Sequence, residues 1–329
     1  YAIEYKYYYY NGSTLALQTE TFNRSYAWTS LLGDFDGDGA MDLASYNCSS
    51  SLGEGKIFFF NRPTGQREEQ LCGFPTSYPA KNYKNYAIDF NGDGKTEILN
   101  IFEGSNSTIH EFNPTQQSCV SGFLDFTANI TPTQIYSGSF PTYEDEVLPG
   151  DFNGDGKTDL LVWREALYKW QVGYSTGRSF EISDFPISSI SPGGIDPPIS
   201  SFPSPEHDAG YDNKHFVMDI DGNGMADIVE ADLPYENLTN IKLFYSTGAG
   251  FFHINISSST SYGIDNFLVG DFEGDGAQDL GMKNNDYFDI LRFIKQSNGN
   301  LLHKIHDGFN FETTFEYNPL TVGGSFYTK

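Results

Sequence analysis

The chain has 329 residues with 44 acidic against 19 basic side chains, a formal net charge of -25. A surface this negative repels a polyanion, which excludes nucleic acid as a partner. Aromatics at 16% of residues give the chain enough apolar surface to fold and exclude disorder, while no apolar run approaches the roughly 18 residues of a membrane-spanning helix.

The abundance of Gly (34) and Pro (15), beside Ser, Thr, Asn and Tyr, favours short strands joined by turns, so an all-β fold is expected. Tyr1-Ala2-Ile3-Glu4-Tyr5-Lys6-Tyr7 opens directly on a strand, with no leader pattern, and reads as a start inside a longer protein. Three cysteines, Cys48, Cys72 and Cys119, fit either one bridge and a free thiol or three buried thiols. The Asn-x-Ser/Thr triplets at Asn11, Asn23, Asn47, Asn106, Asn129, Asn237 and Asn255 are what an Asn-, Ser- and Thr-rich chain produces by chance.

Five segments align without gaps as repeats of one acidic nonet, and its positions 1, 3, 5 and 9 carry oxygen side chains. In chain order these are Asp34, Asp36, Asp38 and Asp42, then Asp89, Asn91, Asp93 and Glu97, then Asp151, Asn153, Asp155 and Asp159. Asp219, Asp221, Asn223 and Asp227 come next, and Asp271, Glu273, Asp275 and Asp279 complete the set. The backbone carbonyl at position 7 (Ala40, Lys95, Lys157, Met225, Ala277) adds a further oxygen, giving each loop the donors of a hard cation with flexible coordination. Calcium is the expected occupant, at about five sites. Magnesium demands tighter geometry and zinc prefers Cys or His, neither of which falls in a loop. Glycine at position 6 lets the backbone curl around the ion.

An EF-hand is the competing reading, and only the fourth loop places an acid, Glu230, at position 12. The others have Ser45, Asn100, Val162 and Met282 there, and the residues after each loop read as buried strand and not as amphipathic helix. The residue after the first ligand is Phe35, Phe90, Phe152, Ile220 or Phe272, expected to pack between sheets.

The first aspartates stand 55, 62, 68 and 52 residues apart, room for about four short strands. Downstream of the loops come aromatic strand–turn–strand elements such as Lys56–Asn61, Tyr168–Gly177, Lys242–Gly248 and Ile290–Ile294. Four strands per repeat, with the loop between the first two, is the plan of a propeller blade. Six blades are expected, with seven as the alternative count. Residues 1–308 would form the propeller, with 1–30 as the outer half of a blade lacking its own loop and five calcium-loop repeats from about residue 31. Residues 309–329 would close the propeller or lead into a further domain. A Pro-rich loop, Ser183 to Asp212, lengthens the third repeat and reads as a solvated excursion.

Six histidines show no metal-ligand spacing, and no nucleophile elbow, His-Glu-x-x-His or phosphate-cradling loop is present, so no catalytic residue is assigned. Asp151-Phe-Asn-Gly-Asp-Gly-Lys-Thr-Asp-Leu-Leu-Val162 resembles the integrin-type FG-GAP/VCBS calcium repeat. Asp307-Gly-Phe-Asn-Phe-Glu-Thr-Thr-Phe-Glu-Tyr-Asn-Pro-Leu-Thr321 resembles the stretch after the propeller in SpvB-like B components of bacterial toxin complexes, departing from it at Asp307 and Asn310. There the propeller is a docking and gating module between the pore-forming component and an Rhs-repeat cocoon. The resemblance implies a secreted or cell-surface, non-enzymatic protein-docking role. A lectin or adhesin, with Trp163 and Trp170 stacking on glycans, is the alternative, and a polysaccharide-active enzyme the third.

Overall fold

A computed structural model describes residues 2–10, 15–23, 29–47, 54–61, 65–71, 82–117, 129–167, 169–185, 211–234, 240–257, 266–283, 288–293, 304–306 and 312–314. The three cysteines, residues 186–210 of the Pro-rich loop and residues 315–329 lie outside them. No helix of the described residues is long and apolar enough to cross a membrane. The chain forms two compact units. One comprises Tyr1–Asp145, Gly156–Thr158 and Ser175–Glu181, and the other Glu146–Asp155, Asp159–Tyr174 and Ile182–Lys329.

In the first unit, β1 (Ala2–Tyr10) and β2 (Leu15–Asn23) form a hairpin in continuous register. Next comes an antiparallel sheet of β3 (Thr29–Gly33), β4 (Asp42–Asn47), β5 (Glu54–Asn61) and β6 (Gly65–Leu71). The second sheet is β7 (Tyr83–Ile88), β8 (Glu97–Phe102), β9 (Ser107–Gln117) and β10 (Asn129–Gly138). The two are joined edge to edge where β6 and β10 run parallel, Gln70 opposite Asn129 and Leu71 opposite Ile130.

The third sheet is β11 (Glu146–Gly150), β12 (Asp159–Arg164), β13 (Lys169–Ser175) and β14 (Phe180–Asp184), with a 3₁₀ turn at Glu165–Leu167. The fourth is β15 (Tyr211–Met218), β16 (Asp227–Pro234), β17 (Asn240–Ser246) and β18 (Phe251–Ser257). Strands β19 (Asn266–Gly270), β20 (Asp279–Lys283) and β21 (Phe288–Leu291) form a three-stranded fifth sheet. The short pair β22 (Lys304–His306) and β23 (Glu312–Thr314) lies on either side of residue 308. Ser183 and Asp184 therefore end β14, and Tyr211 and Asp212 begin β15, so the Pro-rich connection is shorter at both ends than its composition suggests.

The fold is thus all-β, with four-stranded antiparallel sheets in a propeller arrangement within each unit. The second strand Glu97–Phe102 (EILNIF) is buried along its whole length and reads as a near-continuous apolar run. Phe35 packs with Ala44, Ile98, Phe102 and Phe112 in the first unit. In the second, Phe152, Leu161, Trp163, Trp170 and Val172 of the third sheet meet Ile228, Phe244 and Phe251 of the fourth. Met218, Ile220, Val229, Ile241 and Leu243 of the fourth meet Leu280, Met282 and Phe293 next in line.

The glycines just before the loops measure how closely successive sheets approach. A Cβ on Gly150 would lie 2.7 Å from Val217 Cγ1 and 2.8 Å from Ala226 Cβ, both on the following sheet, whereas on Gly270 its nearest neighbour would be Phe272 at 3.8 Å. Gly150→Ala is expected to cost about 1–3 kcal/mol through overpacking, and Gly270→Ala less than about 0.5 kcal/mol. Urea unfolding midpoints of the two variants check this, and equal midpoints would contradict the difference in packing.

Candidate metal centre

Each acidic nonet lies between the first and second strands of its sheet, and position 9 is the first residue of the second strand (Asp42, Glu97, Asp159, Asp227, Asp279). Strand β16 comes directly after the fourth loop, where an EF-hand would place a helix. Glu230 points from that strand to Lys242, its Oε1 accepting from Nζ at 2.6 Å. The EF-hand match of this loop is therefore fortuitous.

The position 1 carboxylate organises the loop. Asp34 Oδ1 accepts from the amides of Gly37 (2.7 Å) and Asp38 (3.1 Å), and Oδ2 from Gly39 (2.8 Å). Asp89, Asp151, Asp219 and Asp271 accept from loop amides in the same manner. The position 5 oxygen accepts from the position 7 amide: Asp38 from Ala40, Asp93 from Lys95, Asn223 from Met225 and Asp275 from Ala277. Asn91 and Asn153 at position 3 each accept from the position 5 amide at 2.9 Å.

In the first and fourth loops, positions 1, 3 and 9 converge. One oxygen each from Asp34, Asp36 and Asp42, and likewise from Asp219, Asp221 and Asp227, lie within 4.8 Å of one another. Calcium–oxygen bonds of about 2.3–2.6 Å let one ion touch oxygens separated by up to about 5 Å, so these residues fit a calcium ion without rearranging the backbone. Crowding points the same way. Burial pushes the Asp227 carboxyl up to about 8, against the pull of the Ser246 and Ile220 amides, and Asp221 and Asp219 add to the rise. Burial likewise pushes Glu97 up to about 8, with Asp93 and Asp89 adding to it, and raises Asp89 and Asp221. Carboxyls in this condition lack positive charge, which a divalent ion supplies. The fifth loop differs, because Glu273 Oε1 accepts from Arg292 Nε at 2.8 Å on an exposed surface.

Two features of the loops escape a reading of spacing alone. The first is a relay between successive loops: the position 8 amide of one donates to the position 1 carbonyl of the loop before it. The pairs are Thr96 to Asp34 (2.7 Å), Thr158 to Asp89 (2.6 Å), Ala226 to Asp151 (2.7 Å) and Gln278 to Asp219 (2.7 Å). Thr158 Oγ1 and Gln278 Oε1 accept in return from the Asp89 and Asp219 amides. The second concerns the glycine at position 4. It has positive φ, like the one at position 6, but its missing Cβ is also space that the next loop occupies. Lys95 Cγ would lie 2.9 Å from a Cβ on Gly37, Lys157 Cγ 3.0 Å from one on Gly92, and Met225 Cγ 3.0 Å from one on Gly154. The position 6 glycines Gly39, Gly94, Gly156 and Gly224 have nothing within 4 Å, and there the backbone conformation alone demands glycine.

The tryptophans assigned to glycan stacking are not at the surface. Trp163 is 8% and Trp170 4% exposed, and they pack on each other at 5.7 Å within the core between sheets. Neither offers a face to a sugar.

Residues 89–162 match the family described as FG-GAP-like repeat. The match runs from the first aspartate of the second loop through the strand after the third, one full repeat of the chain. No curated protein matches the chain as a relative.

Proposed function

We propose that the chain is a six-bladed, calcium-stabilised β-propeller that docks proteins without catalysing a reaction, as a module of a secreted or cell-surface bacterial toxin-complex or Rhs-type protein. The observation that carries this reading is the recurrence of one acidic loop at one place in five successive sheets, with an FG-GAP-like repeat across the second and third. In the first loop the ion would be held by Asp34, Asp36, Asp38, the Ala40 carbonyl and Asp42, and in the others by the corresponding residues. Calcium would supply the charge that the crowded carboxylates lack. Ions so enclosed by protein oxygens leave no open position for substrate, which favours a structural over a catalytic role.

A sixth blade is supported by the state of the fifth sheet. Phe272 is 43% exposed where Phe152 and Ile220 are buried, and Leu268 beside it is 50% exposed, so this face calls for one more sheet.

Calcium chloride titrated calorimetrically into chelator-stripped protein is expected to fill about five sites per chain. Absence of binding at millimolar calcium overturns the metal part of the reading. The reading frame containing this chain is expected to continue into Rhs repeats, and a frame without them removes the toxin-complex assignment. Specific binding on a glycan array would favour the lectin instead.

A further inference from the structure

At the junction of the third and fourth sheets the packing changes from apolar to ionic. His215 of β15 has a side chain only 2% exposed. Its Nδ1 lies 3.4 Å from Oε1 of Glu146 on β11, and its Nε2 lies 3.6 Å from Oε2 of Glu230 on β16. Glu230 is fully buried and takes Lys242 Nζ of β17 on its other oxygen. The Trp170 indole of β13 meets the imidazole edge-on at 5.7 Å.

Strand register explains the assembly. His215 pairs with Glu230, and Glu230 with Lys242, so the three form one rung across β15, β16 and β17. The corresponding first- and second-strand positions are Val147 and Val162 in the third sheet and Phe267 and Met282 in the fifth. The neighbouring junction is accordingly apolar, with Phe216 and Phe267 in ring contact at 4.9 Å.

Withdrawing the Glu230 carboxylate and the His215 imidazolium from water, with Lys242 and Glu146 only partly covered beside them, costs more than burying hydrocarbon of the same volume, so added stability does not account for this rung. What it does provide is a joint whose strength depends on a proton. We propose that His215 is an alkaline-labile clamp between the third and fourth sheets, holding Glu146 of one and Glu230 of the other while protonated and releasing them when neutral.

With the imidazole protonated, the four charges cancel. Once it is neutral, Lys242 still balances Glu230, but the partly exposed Glu146 loses the imidazolium that faced it. Burial pulls the His215 pKa down, yet the negative charges of Glu146 and Glu230 beside it outweigh that and push the value up to about 9. Because the folded value lies above the ordinary one near 6.5, the clamp's stabilisation is complete below about pH 6.5 and lost as pH rises through about 9. His215 stands four residues before the fourth loop's first ligand, so its titration is separate from the metal site.

The test compares thermal melts of the whole chain with His215→Gln between pH 6 and 10.5, at fixed millimolar calcium. The unaltered chain is expected to melt about 5 °C above the variant at pH 7 and to lose that margin by about pH 10. Tyrosine ionisation in the same range affects both proteins and cancels in the difference. A constant margin across the range would overturn the clamp. Should the variant fail to fold, imidazole nitrogen shifts of the unaltered chain decide the matter. One histidine still protonated at pH 8 supports the clamp, and six histidines all neutral there overturn it.

Discussion

Transfer from millimolar calcium into EGTA is expected to lower the melting temperature by on the order of 10 °C. If each site has a Kd near about 10⁻⁴ M, linkage at about 1 mM calcium contributes roughly 1.4 kcal/mol per site. Five such terms give about 7 kcal/mol, comparable with the net stability of a whole domain. The loops also bond to one another. The carbonyl of the first ligand in each of the first four loops is held by an amide of the next loop, so a loop loosened by ion loss loosens its neighbour. Differential scanning calorimetry in both buffers measures the shift, with magnesium as the control for ionic strength. A melting temperature that moves by less than about 1 °C on chelation would mean that the loops hold their shape through their amide hydrogen bonds alone.

The loops were legible in the sequence because their chemistry is local. Nine consecutive residues contain the position 1 carboxylate, the amides it receives and the glycines that let them turn inward. The buried aromatics were legible for the same reason, since Phe35, Phe90 and Phe152 alternate with ligands along an extended backbone and all become buried. Phe272 occupies the same repeat position and stays half-exposed, because burial there depends on a neighbouring sheet and not on the repeat itself. What the sequence conceals is pairing between distant segments. Nothing in the spacing marks the parallel contact of β6 with β10, or places His215 beside Glu146, because each depends on which strand edges and sheet faces come together. The tryptophans show the same limit from the other side. Trp163 and Trp170 are cross-strand partners on β12 and β13, and the face they share is the one the fourth sheet covers.

Replacing Asp227 by alanine is expected to cost about 2–5 kcal/mol even in EGTA, because its carboxylate works without any ion. Asp227 is buried, with Oδ2 accepting from the Ile220 amide at 3.0 Å and Oδ1 from the Ser246 amide at 2.7 Å. It therefore buckles the loop entrance to the exit of β17. Ser246 Oγ donates in turn to the Phe152 carbonyl, extending the tie to the preceding sheet. Asp279 repeats the pattern with the amides of Phe272 and Phe293, and Asp42, Glu97 and Asp159 each accept from the position 2 amide. Alanine at 227 orphans two buried amides, each worth about 1–3 kcal/mol. Asp221→Ala is the contrasting variant, since it removes a half-buried carboxylate that receives from the neighbouring Asn223 and is itself repelled by Asp219. In EGTA its unfolding free energy is expected to stay within about 0.5 kcal/mol of the unaltered chain, while in calcium it loses one site's contribution. Urea unfolding of both variants in both buffers separates the roles. If Asp227→Ala is silent in EGTA and costly only in calcium, the ninth-position carboxylate acts through the ion alone, and the buckle is wrong.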